Sequence, residues 1–188
     1  GSFGPQHVIS TQALGGRMVV VGDVDNDGDS DVFSASFDDD TLAWHENDGT
    51  PAVGAWPEHA ITTVAENPTC IFAADIDGDG DLDAIGSSTL DYAFSWYEND
   101  GTPAVGAWTE HPITPFAPGV VDIIEKVIAA DMDADGDIDV LAATTLPESF
   151  AWYENDGTPA DGAWTEHLIS TAVLFPEWVI AADLDGDG

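Results

Sequence analysis

One thirteen-residue segment recurs three times in this chain, and that repetition limits its folds more than any other feature. Trp-Tyr-Glu-Asn-Asp-Gly-Thr-Pro-Ala-Val-Gly-Ala-Trp occupies residues 96–108. It returns at 44–56 with His45 for the tyrosine, and at 152–164 with Asp161 for the valine. A histidine follows the second tryptophan of each copy, at His59, His111 and His167, and His7 holds the same place after Gly1-Ser2-Phe3. The histidines are therefore 52, 52 and 56 residues apart, and the longer interval places its extra residues within 115–126. A unit of this size cannot bury both faces alone and must stack on its neighbours.

Each copy reads as four short strands. The first (18–22, 70–74, 127–130) is almost wholly apolar, as expected of a strand buried on both faces. An acidic loop follows, then a second strand (31–36, 83–87, 139–143). The third (41–46, 93–98, 150–154) mixes aromatic and polar residues and is expected to be less buried. Asn-Asp-Gly then supplies a turn needing positive φ. The fourth strand is expected to start at Ala55, Ala107 or Ala163 and to run through the histidine to Ile61, Ile113 or Ile169. Four strands in about 50 residues, repeated, predict an all-β fold of β-propeller blades, each of four antiparallel strands. About three blades are complete, with partial ones at the ends, so the chain is an incomplete propeller or a segment of a larger one. The expected division is an outer strand of a preceding blade at 1–10, blades at 11–62, 63–114 and 115–170, and the start of a fourth at 171–188. A β-helix is the competing architecture, but its coils are shorter and need no tryptophan at fixed places.

The acidic loops are Asp-x-Asp-x-Asp-Gly-Asp-x-Asp. They comprise Asp23, Asp25, Asp27, Asp29 and Asp31; Asp75, Asp77, Asp79, Asp81 and Asp83; and Asp131, Asp133, Asp135, Asp137 and Asp139. A fourth begins with Asp183, Asp185 and Asp187 and lacks its last acid. Carboxylates at alternate positions converge when the backbone coils tightly, and glycine at the sixth position permits the coil. Hard oxygen ligands suit Ca²⁺ rather than a transition metal, at about one ion per complete loop. An EF-hand opens in the same way but needs an acid at its twelfth position, where this chain has Ser34, Gly86 or Ala142 between strand-like flanks.

Loop, tryptophan strand and turn together resemble the FG-GAP repeats of integrin α-subunit propellers and the related FG-GAP/VCBS-type repeats of secreted bacterial proteins. The resemblance covers nearly the whole chain. It implies calcium in the hairpin between the first two strands of each blade, held by Asp23, Asp25, Asp27 and Asp31 with the Asp29 carbonyl, and by the matching aspartates of the other copies. Such propellers usually close about seven blades.

Charge excludes several functions. There are 37 Asp and Glu against Arg17 and Lys126, a net charge of −35. Nothing here can neutralise nucleic-acid phosphates. No apolar run approaches the ~20 residues of a membrane span. Self-repulsion on this scale calls for counter-ions, divalent ones foremost. The lone Cys70 forms no internal disulfide and is expected to be a small buried apolar residue. No catalytic site is expected. The histidines and Glu46, Glu98 and Glu154 recur in every copy, whereas an enzyme needs one site. Asp38-Asp39-Asp40 does not recur and is expected as a solvated turn or a second cation contact. Thr50, Thr102 and Thr158, each before proline, are expected to shape the turn, or else to accept O-linked sugar. The sequence thus points to an extracellular or cell-surface calcium-binding module with a structural, adhesion or ligand-binding role. Its partner would be protein or glycan, and the chain part of a longer polypeptide or larger assembly. A secreted propeller enzyme acting on polysaccharide and a filament subunit are the alternatives.

Overall fold

The computed structural model describes residues 4–89, 93–114, 123–162 and 164–182. Twelve strands form three separate four-stranded antiparallel meanders. The first contains β1 (Gly16–Gly22), β2 (Asp31–Ser36), β3 (Thr41–His45) and β4 (Glu58–Thr62). The second contains β5 (Pro68–Ala74), β6 (Asp83–Ser88), β7 (Ala93–Glu98) and β8 (Thr109–Thr114). The third contains β9 (Ile123–Ala130), β10 (Asp139–Leu146), β11 (Glu148–Glu154) and β12 (Thr165–Ser170). These are three blades of an incomplete propeller.

Two apolar cores lie between the blades rather than within them. Phe33, Leu42 and Trp44 of the first blade pack with Ile71, Ala84 and Tyr97 of the second. Ile85, Phe94 and Trp96 of the second pack with Val127, Val140 and Tyr153 of the third. Stacking therefore holds this fold, as the repeat demanded. The same strand position shows it directly. Ile71 and Val127 are fully buried by the blade before them, whereas Val19, their counterpart in β1, is 65% exposed.

Burial differs from expectation in two ways. The second strands are the most enclosed: every residue of β2 and β6 is buried. The first strands are less enclosed: β5 is buried at Pro68, Cys70 and Ile71 and half-buried elsewhere, while β1 has no buried residue and alternates between exposed and half-buried along most of its length. The third strands β3 and β7 are also buried, with Trp44 and Trp96 wholly inaccessible, whereas β11 alternates between buried and half-buried residues. The reason is position in the meander. A second or third strand has a ladder on both sides and a blade against its face, while a first strand has a ladder on one side only. The fourth strands begin at Glu58, Thr109 and Thr165, two or three residues later than expected. The preceding residues form a knotted turn instead. Thr50 donates its hydroxyl to Asp48 Oδ1 at 2.5 Å, Gly54 N donates to Thr50 O at 2.7 Å, and Trp56 Nε1 donates to Pro51 O at 3.4 Å. The second copy repeats these bonds; the third keeps the threonine bond, Thr158 Oγ1 to Asp156 Oδ1 at 2.6 Å, and has a 3-10 turn at Pro159–Asp161 in place of the others.

Residues 4–10, expected as an outer strand, pair with no described strand, and 171–182 are likewise unpaired. The recurrent histidine is a strut. His59, His111 and His167 stack on Trp44, Trp96 and Trp152 at 4.5, 4.4 and 4.2 Å. Each Nε2 lies 2.6–2.8 Å from Glu46, Glu98 or Glu154. Cys70 is free and fully buried, its thiol pKa raised by that burial.

Candidate metal centres

Each complete acidic loop joins the first two strands of its blade and coils through two left-handed residues. The sixth position is glycine, with φ of 94°, 100° and 102° at Gly28, Gly80 and Gly136. The fourth is also left-handed, at Asn26, Gly78 and Ala134 with φ of 59°, 76° and 63°. The sequence signal for this second turn was weak, because only two of the three residues favour that conformation.

The coil turns backbone N–H groups onto the carboxylates. Gly28, Gly80 and Gly136 each donate to the first aspartate of their loop at 3.1 Å. Asp29, Asp81 and Asp137 donate their N–H to the fifth-position carboxylate at 2.9 Å. Their own side chains lean on the turn after the third strand. A Cβ placed on Gly49, Gly101 or Gly157 would lie 2.7–2.9 Å from those carboxylates, which would have to swing aside, and the positive φ at each position favours glycine.

The ninth-position aspartate is fully buried in every loop. Asp83 accepts from Ile76 N and Asn99 N, both at 2.9 Å. Asp31 and Asp139 make the same pair of bonds at 2.8–2.9 Å. Each ties the entry of its loop to the exit of the third strand.

Carboxylate oxygens converge in three groups: Asp23, Asp25 and Asp27; Asp75, Asp77 and Asp83; Asp131, Asp133 and Asp139. Within each group they lie within 4.8 Å of one another. Asp79, Asp135 and Asp31 stand outside these groups, and so do the side chains of Asp29, Asp81 and Asp137, for which a carbonyl role was expected. Asp183, Asp185 and Asp187 lie outside the described residues. Partial loss of hydration in the coil raises the pKa of Asp25 and of the otherwise exposed Asp77, helped by the charges of Asp27 and Asp79. Burial also raises Asp31 and Asp139 against their two N–H bonds, and lifts Asp83 to about 7. Asp83 sits in the middle blade, with protein packed on both faces.

These residues fit a hard cation. Asp75 Oδ1 is buried without a hydrogen-bond partner, within the second group. The two basic side chains are engaged elsewhere, Arg17 over Phe37 and Lys126 over Trp178, each at 4.3 Å.

Other candidate residues have structural partners. Asp39 Oδ2 accepts from Leu14 N at 3.2 Å and Asp40 Oδ1 from Asn67 N at 2.9 Å, so that run fastens neighbouring backbone. His45, where other copies have tyrosine, is buried and so has a lowered pKa. Its Nε2 lies 3.0 Å from Ser34 Oγ, but Glu58 is 3.9 Å from Nδ1, beyond hydrogen-bond reach.

Blades of four strands, stacked face to face, with an acidic loop at the head of the first hairpin, define a propeller-like module. Residues 23–86 and 131–188, more than half of the chain, match the FG-GAP-like repeat, and the chain belongs to that family. Each match opens on the first aspartate of a loop, so the sequence repeat is out of phase with the blade by one strand. No curated protein matches the chain.

Proposed function

We propose that this chain is a calcium-dependent structural or adhesive module of an extracellular protein. Asp23, Asp25 and Asp27, Asp75, Asp77 and Asp83, and Asp131, Asp133 and Asp139 would hold one ion each. The carrying observation is the convergence of three carboxylates at the same place in three blades, with no basic side chain turned toward them. Bound calcium supplies charge compensation and a coordination frame. The protein supplies a pre-coiled loop. Because the loop exists only in the folded blade, metal binding adds to folding stability in proportion to free calcium. A net charge of −35 supports the same reading, since each ion relieves local repulsion. External calcium is high enough to fill weak sites of this type. The blade rims would meet protein or glycan partners, and the module carries no catalytic role.

The test is thermal unfolding in calcium and in chelator, with ion stoichiometry measured alongside. The midpoint should rise with calcium, and Asp25→Ala or Asp77→Ala should each remove about one ion. An unchanged midpoint and no bound ion would end the proposal.

A further inference from the structure

The turn asparagine after the third strand does more than turn the chain. Asn99 is 2% exposed, and its Nδ2 donates to two carbonyls in two different blades. One is Leu82 O, in the loop of its own blade, at 3.3 Å. The other is Val24 O, at the second position of the preceding blade's loop, at 3.1 Å. Its backbone N–H also holds Asp83, at 2.9 Å. Asn155 repeats the arrangement one blade on. It donates to Ile138 O at 3.2 Å, to Ile76 O of the preceding loop at 3.1 Å, and through its backbone N–H to Asp139. Asn47 has no preceding blade among the described residues. Its Nδ2 donates to Ser30 O of its own loop alone. The bridge is therefore a property of the blade–blade contact and not of the turn.

We propose that Asn99 and Asn155 are positioning residues that couple each metal loop to the loop of the next blade, so that the three loops fill cooperatively. This rests on the calcium reading above. The second-position residues explain how a loop's state can be transmitted. Val24 and Ile76 are 0% and 2% exposed and sit in the two inter-blade cores. A loop that tightens around an ion fixes a backbone carbonyl at the edge of that core. The next blade's asparagine reads that carbonyl, and the same amide and its backbone N–H brace the exit and latch of the next loop. Loops 1 and 2 have an additional tie, because Asn26 Nδ2 donates to Asp81 Oδ1 at 2.5 Å. Gly78 stands at the corresponding place in loop 2, so loops 2 and 3 lack it. Coupling between the first two loops therefore exceeds that between the second and third. By linkage the effect runs equally in both directions.

The test is hydrogen exchange followed by mass spectrometry during a calcium titration of the native chain, Asn99→Ala, Asn26→Gly and Asp25→Ala. The peptides covering 23–31, 75–83 and 131–139 report each loop. In chelator, Asn99→Ala should speed exchange in loop 1 as well as loop 2 and leave loop 3 unchanged. In calcium, the half-protection point of loop 1 should rise about fivefold, the loss expected for one buried hydrogen bond. Asp25→Ala, which disables loop 1, should raise the midpoint of loop 2 in the otherwise native chain and raise it less in the Asn99→Ala background, where only the Asn26–Asp81 tie remains. Asn26→Gly introduces the residue loop 2 already carries, so the fold is kept. It should shift loops 1 and 2 by about twofold together. Three loops that gain protection from calcium, with midpoints unmoved by both Asn99→Ala and Asn26→Gly, would overturn the coupling and leave the calcium reading standing. Calcium that protects no loop in the native chain would overturn both.

Discussion

Replacing Asp83 by alanine should destabilise the chain even when no calcium is present. Asp83 is fully buried, and each of its carboxylate oxygens accepts a backbone N–H at 2.9 Å, from Ile76 and Asn99. Alanine leaves both donors without a partner in a place water does not reach. An unsatisfied buried donor costs about 1–3 kcal/mol. Two of them, with a small cavity added, give roughly 3–5 kcal/mol. For a chain of this size that corresponds to a fall of about 10 °C in unfolding midpoint. Asp77 lies at the third position and is exposed. Its one backbone bond is a long turn contact, Asp79 N to Oδ1 at 3.2 Å. Asp77→Ala should therefore melt within about 2 °C of the native chain in chelator and fall behind only when calcium is added. The assay is circular dichroism melting of the three proteins at one pH, in chelator and in millimolar calcium. If Asp83→Ala and the native chain melt together in chelator, the ninth aspartate is not a structural latch, and its role is confined to the metal.

Further expectations follow from the same geometry. Asp83 is lifted to about 7 in the folded, metal-free chain from an ordinary 3.8, so the folded form holds the extra proton between those values. Its contribution to stability is thus complete below about pH 4 and lost as pH rises through 7, amounting to roughly 2–3 kcal/mol between pH 5 and 8. In chelator the native chain should melt higher at pH 5 than at pH 8, and Asp83→Asn should flatten that slope. Ile71→Ala should cost about 2–5 kcal/mol by chemical denaturation, because Ile71 is fully buried between blades. Val19→Ala at the matching position should stay within about 0.5 kcal/mol, Val19 being 65% exposed. Ala134→Gly relieves a left-handed alanine (φ 63°) and should stabilise the third blade by about 0.5–1 kcal/mol, read from the same unfolding curves.

The repeat gave the blade because its period, its apolar first strand and its Asn-Asp-Gly turn each recur at one spacing. The acidic loops were legible for the same reason: the first and third aspartates converge in every loop, joined by Asp27 in the first and by the ninth-position Asp83 and Asp139 in the others. What escaped notice were features made by one blade acting on another. Asn99 reads locally as a turn residue. Its second bond is to Val24 O, which lies 75 residues earlier, and no local pattern announces that partner. The ninth aspartate was expected to complete the metal shell. Its two backbone bonds depend on how the third strand ends, which the spacing alone did not specify. The late start of the fourth strands has a similar origin: Trp56 and Trp108 reach back to Pro51 and Pro103 carbonyls and close a turn where the residue pattern predicts a strand.

Repetition also separates what a position is from what surrounds it. Ser34 and His45 form a buried 3.0 Å pair in the first blade, at places held by Gly86 and Tyr97 in the second and by Ala142 and Tyr153 in the third. The tyrosines pack against the blade before them: Tyr97 lies in the core shared with Leu42, and Tyr153 meets Phe94 edge-on at 4.9 Å. His45 faces instead the open side of the first blade, beside Val19 and the 6–10 segment. The smaller imidazole, tied to the Ser34 hydroxyl, fits that buried space, where no preceding blade offers a ring for a phenol to pack on. The scaffold positions stay constant because every blade needs its tryptophan, latch and strut. Variation collects where the neighbouring surface changes, and that is where an individual blade can acquire properties of its own.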